Sequence, residues 1–294
     1  MKIIITGSLG NVAKPLAQQL IAEGHDITVI SSNENKKSEI ESLGAKAAIG
    51  SVTDIEFLKE TFKGVDSVFL MTPPMIDATD IIEKTVNVGK KYAEAVAKTG
   101  VKRLVMLSSV GADSPTENGP IASLHHIEKI YGDLENVSST FLRAGYFYIN
   151  FFNDIPVIKN AGIIGANYSA EVKVPLVHPK DIAKAAAQEL VKTSSDQKIR
   201  YAVSDNREAG DFAKVFGSAI GKPALPWIEF TDEQTFEGIS QAGLPEEMAK
   251  LYEEMGRGIR NGVVQEDFIK YGSPIDGETK LEEFAKEFAH HFNS

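Results

Sequence analysis

The sequence predicts an α/β fold in which a doubly wound parallel sheet is followed by a smaller, mostly helical C-terminal part. Three observations predict it. Apolar runs alternate with amphipathic segments over the first half of the chain, glycines stand between several of these segments, and the alternation stops after residue 150. Strict alternation of strands and helices of these lengths implies a parallel sheet with helices on both faces.

Six strands and five helices account for the alternating part. The predicted strands are Lys2–Thr6, Asp26–Ser31, Ala45–Gly50, Ser67–Met71, Arg103–Ser108 and Thr140–Arg143. The predicted helices span residues 11–23, 35–43, 53–62, 77–99 and 121–135. Three glycines precede the next strand, at the position typical of a glycine that ends a helix: Gly44, Gly64 and Gly100.

A glycine turn between the first strand and the first helix predicts a dinucleotide site. The turn is Thr6-Gly7-Ser8-Leu9-Gly10-Asn11-Val12-Ala13. Gly7 permits a tight turn, Gly10 lets the backbone approach a pyrophosphate, and Ala13 lets the helix pack close to the strand. The N-terminus of the helix offers unpaired N–H groups to the phosphates. The predicted cofactor-binding residues are therefore Thr6, Gly7, Leu9, Gly10, Asn11 and Val12. The alternative is an ordinary turn that contains two glycines.

The end of the second strand favours NADPH over NADH. An acid roughly 20 residues beyond the glycines normally binds the ribose hydroxyls of NAD, but here the strand ends in Ser31-Ser32-Asn33. A carboxylate would repel a 2′-phosphate, whereas hydroxyls do not, so Ser31 and Ser32 are predicted to bind the cofactor. Lys36 and Lys37 either supply positive charge to the phosphate or form the solvated start of a helix.

The composition narrows the class of protein and its partners. The chain has 294 residues, 43 % hydrophobic and 24 % charged, as in an ordinary globular protein of one large or two modest domains. A net charge of −10 without a dense basic cluster argues against nucleic acid as a partner. No apolar segment is long enough for a membrane helix or a signal peptide, and there is no cysteine. We therefore expect a cytoplasmic protein without a membrane partner.

Past residue 150 the pattern changes, which predicts a division into two parts. A loop-rich stretch at 159–165 precedes a strand at Val172–Val177, Pro179 opens a helix, and Arg200–Val203 forms another strand. We expect residues 1–154 to form a Rossmann-type NAD(P)-binding domain, with residues 172–205 returning to it. Residues 155–294 are expected to form the substrate-binding part. Ligands of open α/β sheets bind at the carboxyl ends of the strands, so the site is expected between the two parts.

Five stretches of the chain form a pattern that is typical of a known family: Thr6-Gly7-x-x-Gly10-x-x-Ala13, Gly64–Pro74, Val101–Ser109, Thr140–Phe147 and Gly243–Glu246. On these stretches, which extend over nearly the whole chain, the sequence resembles the NmrA-like family of atypical short-chain dehydrogenases and reductases, and within it the quinone and azo-dye reductases. Two positions depart from the pattern. Ser31 stands where the family often has an arginine, and the Tyr-x-x-x-Lys pair of typical short-chain dehydrogenases is replaced within His125-His126-Ile127-Glu128-Lys129.

The resemblance implies roles for several further residues. Lys129 would orient the ribose, and His125, four residues earlier, stands in the place of the tyrosine proton donor. Ser108 ends the fifth strand, where the family keeps a hydroxyl near the nicotinamide. A surface lysine and a turn-forming serine are the alternatives. The loop after the fourth strand is expected along the dinucleotide and contains Thr72, Pro73 and Pro74. No carboxylate cluster accompanies the histidine pairs, so no metal site is expected.

Tyr146–Phe152 is the densest aromatic run, and it follows the sixth strand. Tyr146 and Phe147 are predicted to contact a flat aromatic substrate, because stacked rings add roughly 1 kcal/mol beyond their burial. The other aromatic residues of the run have helical spacing and are predicted to be core. Asp181 is predicted to cap a helix.

The sequence therefore favours an NAD(P)H-dependent oxidoreductase that transfers hydride to a flat electrophile such as a quinone or an azo compound. A reduced quinone takes its protons from water, so loss of the tyrosine is tolerable in that chemistry. A non-catalytic, NAD(P)-binding redox sensor of the NmrA type is the alternative. A nucleotide-sugar epimerase is less favoured because it needs the tyrosine. The expected partner is a small aromatic or quinone-like substrate, and a homodimer is left open.

Overall fold

The fold was analysed in a computed structural model that describes residues 1–75, 79–194 and 198–294. Its strands are β1 (Lys2–Ile5), β2 (Asp26–Ser31), β3 (Lys46–Ile49), β4 (Ser67–Leu70), β5 (Arg103–Ser109), β6 (Ser138–Ala144), β7 (Tyr146–Phe147), β8 (Ile164–Ala166), β9 (Lys173–Val177), β10 (Ile199–Ala202), β11 (Asp205–Glu208) and β12 (Trp227–Glu229).

The α-helices of the described residues are α1 (Ala13–Ala22), α2 (Lys37–Ser42), α3 (Ile55–Phe62), α4 (Ile81–Thr99), α5 (Ala122–Gly132), α6 (Ile155–Ala161), α7 (Pro179–Leu190), α8 (Ala209–Ala219), α9 (Asp232–Gln241), α10 (Glu246–Arg260), α11 (Glu266–Lys270) and α12 (Leu281–Asn293). Short 3-10 helices span Glu34–Lys36, Gly119–Ile121 and Tyr148–Asp154. The fourth predicted helix, 77–99, starts later than expected at Ile81, and residues 77 and 78 lie outside the described residues.

Seven parallel strands form the central sheet in the order β3-β2-β1-β4-β5-β6-β10. β1 is flanked by β2 and β4, with Ile3 in register with Ile27 on one side and with Ser67 on the other. The chain therefore reverses its direction of winding between β3 and β4, and a crevice opens at the carboxyl ends of β1 and β4. The predicted α/β class with a doubly wound parallel sheet is confirmed.

The alternation of side chains along β1 explains the two helical layers. Ile3 and Ile5 pack with α1 and α7 on one face of the sheet, and Ile4 packs with α3 and α4 on the other. All three isoleucines are at most 1 % exposed. A strand buried on both faces is a continuous apolar run, which is the pattern that the sequence shows.

The seventh strand and one of its covering helices come from the second half of the chain. β10 pairs in parallel with β6, and α7 packs against β4, β5 and β6. The prediction that Asp181 caps α7 is wrong, because the His178 side chain accepts the Lys180 N–H instead. Asp181 is buried and accepts hydrogen bonds from the Ser204 hydroxyl at 2.6 Å and the Thr279 N–H at 2.9 Å.

The C-terminal part has its own core and two small sheets. β9 pairs antiparallel with β11 and parallel with β7, while β8 pairs in parallel with β12. Of these strands, only β9 is predicted by the sequence. The core between the sheets and helices α8 and α12 is aromatic, and its fully or nearly fully buried rings include Phe151, Phe212, Phe216, Phe284 and Phe288.

Candidate functional site

The glycine loop, residues 6–12, joins β1 to α1 at the carboxyl edge of the sheet. Gly7 has a φ of +98°, and a Cβ added to it would lie 2.3 Å from the Sδ atom of Met71. The Gly10 N–H donates to the Gly7 carbonyl at 3.1 Å, and a Cβ at Gly10 would lie 3.1 Å from that same oxygen. Gly7 therefore requires glycine for its backbone angle and its contact with Met71, whereas a side chain at Gly10 would crowd the turn.

Unpaired N–H groups follow the second glycine. Among the described residues, none accepts a hydrogen bond from the backbone N–H of Asn11, Val12 or Ala13. The first turn of α1 contains no acidic side chain. Gly10 and Asn11 are exposed, Leu9 is half-buried, and the Val12 side chain is buried. Free N–H groups at the positive end of a helix dipole form an anion site, so this loop is suited to hold a pyrophosphate.

Thr6 joins the glycine loop to the segment that follows β4 by hydrogen bonds. Its side chain is fully buried, and its hydroxyl accepts the Met71 N–H at 2.8 Å while lying 3.2 Å from the carbonyl oxygens of Phe69 and Met71. The Tyr92 hydroxyl donates to the same Met71 carbonyl at 3.3 Å. The Thr6 side chain thus positions the loop rather than facing the crevice.

The segment after β4 borders the glycine loop on its other side. Thr72 is half-buried, and Pro73 and Pro74 are exposed. The residues that follow them, 76–78, lie outside the described part of the chain. These three predicted cofactor residues therefore stand beside Gly7 at the switch point of the sheet.

The end of β2 is held by hydroxyl contacts. Ser31 is 3 % exposed, and its Oγ accepts hydrogen bonds from the Ser8 hydroxyl at 3.0 Å and the Asn33 N–H at 3.1 Å. Ser32 is exposed, and the Asn33 side chain caps the following 3-10 helix. Ser31 therefore joins β2 to the glycine loop, and Ser32 is the serine that faces solvent.

The lysines near this strand end surround one carboxylate. Lys36 and Lys14 contact the two oxygens of Glu39 at 2.8 and 3.1 Å. Hydrogen bonds from Lys36 and then Lys14 hold the pKa of the Glu39 carboxyl below its usual range. Lys37 is exposed. Lys14, which sequence analysis does not single out, stands in the first turn of α1 and adds a second positive charge beside the glycine loop.

Ser108 lies at the carboxyl end of β5 and contacts an unexpected partner. Its hydroxyl donates to Glu128 Oε1 at 2.5 Å, and both side chains are buried. Arg143, near the end of β6, donates to both oxygens of the same carboxylate at 2.7 and 3.1 Å. No contact among the described residues joins Ser108 to either of the other predicted catalytic residues, His125 and Lys129.

Arg143 is the centre of a buried charge cluster that spans the two parts of the chain. Its Nη1 donates to Asp267 of α11 at 2.6 Å and lies 3.4 Å from the Tyr201 hydroxyl. Burial opposes the charge of Arg143, but the Glu128 carboxylate outweighs it and keeps the pKa of the guanidinium above its usual range. Asp113 lies 3.9 Å from Nη1, and burial raises its pKa.

This cluster is a feature that sequence reasoning missed. Arg143 interrupts the apolar residues of β6, and Glu128 lies on the buried side of α5. A charged residue within an apolar strand is the signal that could have found it, because such a residue requires buried partners.

His125 and Lys129 lie on α5 but differ in their surroundings. His125 is half-buried, and its Nδ1 lies 2.9 Å from the Ala112 carbonyl oxygen. A carbonyl only accepts, so Nδ1 carries the proton and Nε2 is the basic nitrogen in the neutral ring. Lys129 is exposed and has no ion pair within the described ranges. His125 therefore lies at the edge of the protein core, and Lys129 lies on the surface.

The two predicted substrate residues contact different parts of the protein. Phe147 is half-buried and packs on the core that the central sheet forms with α1 and α7, the same core on which Leu9, Met71 and Leu107 pack. Tyr146 packs against the C-terminal core, where its ring meets that of Phe151 at a centroid distance of 5.3 Å. Tyr148 and Phe151 are buried, in agreement with their assignment to the core.

Two further findings concern metal ions and membranes. The described residues contain no group of three or more histidine and acidic side chains placed to hold a metal ion. Their helices include none whose length and apolar character would let it cross a membrane.

Comparison with known proteins identifies the family of this chain. The model of the NmrA-like family matches residues 1–284. The chain belongs to the NmrA-like family. A curated relative, the NAD(P)H azoreductase of Xenophilus azovorans, is 23 % identical over 256 residues, which are 86 % of this chain and 85 % of the relative.

Solved structures of the same fold include two reductases. An NADPH-dependent quinone oxidoreductase of Escherichia coli, complexed with NADPH, matches with a TM-score of 0.82 and 19 % identity over 99 % of this chain and 100 % of that one. A triphenylmethane reductase of a Citrobacter species, complexed with NADP(H), matches with a TM-score of 0.79 and 22 % identity over 98 % and 99 %. At these identities the likeness establishes the fold.

Proposed function

We propose that this NmrA-like protein is an NAD(P)H-dependent oxidoreductase that reduces a flat electrophile such as a quinone or an azo compound. The glycine loop carries the proposal, since its free N–H groups and crowded glycines are suited to a pyrophosphate. Membership of the NmrA-like family and the azoreductase relative support the reaction class.

The residues around the crevice fit the dinucleotide. The N–H groups of residues 11–13 would bind the pyrophosphate, and the Thr72–Pro74 segment would lie along the cofactor. A side chain at Gly7 would overlap Met71, and one at Gly10 would crowd the Gly7 carbonyl. When bound, the reduced nicotinamide supplies a hydride equivalent, which is chemistry that the cofactor brings with it.

The charges near the end of β2, where the adenosine ribose of the cofactor would lie, support a preference for NADPH. No carboxylate stands at Ser31-Ser32-Asn33 to repel a 2′-phosphate, and the next one along the chain is Glu34. Lys14 and Lys36 share the Glu39 carboxylate, so these three side chains together carry a net positive charge. Phosphate is attracted to such a charge.

The two predicted substrate residues would supply walls for the acceptor. Phe147 packs on the core formed by the central sheet with α1 and α7, and Tyr146 packs on the core of the C-terminal part. Flat aromatic acceptors fit such walls because aromatic faces stack favourably. In this arrangement residues 1–154 with 172–205 bind the nucleotide, and residues 155–294 supply the wall for the acceptor.

The buried network positions Ser108 for a role at the acceptor or the nicotinamide. Its hydroxyl points to Glu128, and Arg143 fixes that carboxylate in turn. His125, with a basic Nε2, remains the proton donor that the resemblance implies, and Lys129 the ribose ligand.

The test is oxidation of NADPH and NADH in the presence of a quinone, an azo dye and a cationic triphenylmethane dye. Acceptor-dependent loss of the reduced-nicotinamide absorbance is expected with at least one of them. Nucleotide binding with no turnover of any acceptor would favour the redox sensor instead. Absence of nucleotide binding would contradict both.

A matched pair of variants tests whether the glycine loop binds the nucleotide. Gly10→Ala places a methyl group 3.1 Å from the Gly7 carbonyl, whereas Gly238→Ala on α9 places one in open space. We expect Gly10→Ala to weaken NADPH binding by about tenfold or more, which corresponds to about 1.4 kcal/mol, and Gly238→Ala to leave it unchanged. Equal affinities in the two variants would contradict the assignment.

A further inference from the structure

Glu247 of α10 caps a helix that belongs to the other half of the chain. Its Oε1 accepts the Ile81 N–H at 2.7 Å, and its Oε2 accepts the Asp80 N–H at 2.8 Å. These two N–H groups stand at the start of α4, and the Asp80 side chain makes no capping hydrogen bond of its own. The free N–H groups of a helix start need acceptors. Here they are supplied by a carboxylate 166 residues further along the chain than Ile81.

The position of Glu247 favours a carboxylate over a neutral side chain. It lies at the start of α4 and also in the first turn of α10. The N-terminus of a helix is the positive end of its dipole, so two dipoles attract the same negative charge. The adjacent Glu246 pairs instead with Lys250 of its own helix, where both side chains are exposed. Of the two neighbouring acids, Glu247 is thus the one that joins α10 to α4.

An apolar cluster lies beside this cap and reaches the segment after β4. Ile81 of α4 packs with Met248 and Leu251 of α10, and all three side chains are buried. Met75 and Leu244 are half-buried and pack against this cluster. Met75 therefore rests on side chains that α4 and α10 supply together.

The segment after β4 is thus held at both ends. At one end the Met71 N–H donates to Thr6 Oγ1 at 2.8 Å, and the Met71 side chain lies against Gly7. At the other end Met75 packs against the cluster of α4 and α10. Between them lies Thr72–Pro74, which the proposed function places along the dinucleotide. The shape of this border of the crevice therefore depends on α10 as well as on the glycine loop.

This arrangement gives a role to Gly243–Glu246, one of the stretches on which the family resemblance rests. Gly243 has a φ of +92°, and the chain turns there between α9 and α10. Leu244 packs on the apolar cluster, and Pro245 directly precedes α10. The stretch thereby sets where α10 begins, so that Glu247 reaches the start of α4.

We propose that Glu247 is a positioning residue for the dinucleotide. The proposal rests on the nucleotide binding of the proposed function. The carboxylate holds the start of α4, α4 and α10 together support Met75, and the segment after β4 is thereby kept in the form that borders the cofactor. NADPH binding and the contact between α10 and α4 then stabilise each other, since a ligand that binds the held form better also favours that form.

Substitution of Glu247 should weaken nucleotide binding although both of its oxygens are occupied by backbone N–H groups. A hydrogen bond to a charged group shifts a local equilibrium by about tenfold, and the apparent affinity falls with the fraction of protein in the competent form. Glu247→Ala removes two such bonds and should raise the Kd for NADPH by at least about fivefold. Glu247→Gln keeps one acceptor and should raise it by about twofold. The kcat at saturating NADPH should stay unchanged, because the reacting groups are untouched.

Two control variants separate positioning from general destabilisation. Glu246→Gln changes the neighbouring exposed charge and should keep the wild-type Kd for NADPH. Gly64 precedes β4, at the end of the strand away from the crevice, and its φ is +71° with nothing within 4 Å of an added Cβ. Gly64→Ala should therefore lower the urea midpoint through backbone strain while leaving the Kd for NADPH unchanged.

Hydrogen exchange gives a readout that stability alone does not change. The Asp80 and Ile81 amide protons bind Glu247, so their exchange rates report how often the cap opens. Because coupling between two equilibria is reciprocal, saturating NADPH should slow both rates by at least about fivefold in the wild type. The N–H of Gln234, which the Thr231 side chain caps on α9, is the matched control and should not respond.

The binding measurements distinguish failure of this proposal from failure of the proposed reductase. A Kd for NADPH in Glu247→Ala that equals the Gly64→Ala value would overturn the proposal, as would exchange of Asp80 and Ile81 that NADPH leaves unchanged; the reductase would stand. Protein that shows the expected binding pattern but reduces no acceptor would overturn the reductase and leave the positioning role in place. Wild-type protein that binds no NADPH would overturn both.

Discussion

Gly7→Ala is the substitution that most sharply probes the contact between the glycine loop and Met71. At a φ of +98° an alanine costs about 1–2 kcal/mol. Its Cβ would also lie 2.3 Å from Met71 Sδ, so the Met71 side chain has to leave a half-buried position. Losing part of that burial costs about 1 kcal/mol more. We expect a total loss of about 2–3 kcal/mol in the free energy of unfolding.

The assay is urea unfolding beside the variant Gly64→Ala. Gly64 also has a positive φ, +71°, but a Cβ there meets nothing within 4 Å, so this control isolates the cost of the backbone angle. Gly7→Ala should lose about 1 kcal/mol more than the control and should bind NADPH more weakly, because Met71 borders the crevice. Equal losses of stability together with wild-type NADPH affinity would refute the reasoning.

Three further predictions concern charged groups. Glu128→Ala leaves the buried charge of Arg143 without its main partner, so the free energy of unfolding measured in urea should fall by about 3–5 kcal/mol. Glu246→Ala, which removes an exposed ion pair, should leave the urea midpoint unchanged. Similar midpoints in the two variants would contradict the buried network. Burial raises the pKa of Asp154 from 3.8 to about 7 on folding, so its folded form binds the proton more tightly and stability is lost as pH rises from about 4 through about 7. The stability advantage of Asp154→Asn over the wild type should therefore grow by about 2.5 kcal/mol between pH 5 and pH 8, and a constant difference would exclude the shift. Glu39→Gln frees the two lysines that it binds and should tighten NADPH several-fold at low salt while NADH is unchanged; equal effects on the two nucleotides would contradict a phosphate site there.

The central sheet was predictable because its signals are local. The run Ile3–Ile5 identifies a strand buried on both faces, and the glycines that follow identify the turn. Seven parallel strands then place these residues at a switch point, the position at which open α/β sheets bind their ligands. Most strands of the small sheets in the C-terminal part were not predicted, because strands of two to four residues are too short to show a period.

The partner of Ser108 was not predictable because the rotation of α5 depends on tertiary packing. Ile127 packs so close to Gly89 of α4 that a Cβ there would lie 2.6 Å from the isoleucine Cγ1. This contact fixes the face that α5 turns inward, so Glu128 reaches Ser108 and Lys129 points to solvent. Spacing along a helix predicts which residues share a face but not which face is buried.

Asp154 was missed for a related reason. Nothing adjacent to it in the sequence marks it as unusual, because its burial and its influence on Tyr168 come from other elements. A perturbed acid of this kind is recognisable only after folding.

We propose that the protein passes reducing equivalents from a bound nicotinamide to an electrophile in its crevice. This is tested by a single-turnover experiment in which protein saturated with NADPH is mixed with a quinone or an azo dye and the reduced-nicotinamide absorbance is followed. We expect stoichiometric oxidation of the bound nucleotide, which becomes slower when the transferred hydrogen at C4 of the nicotinamide is deuterium. Bound NADPH that stays reduced in the presence of every acceptor would contradict it.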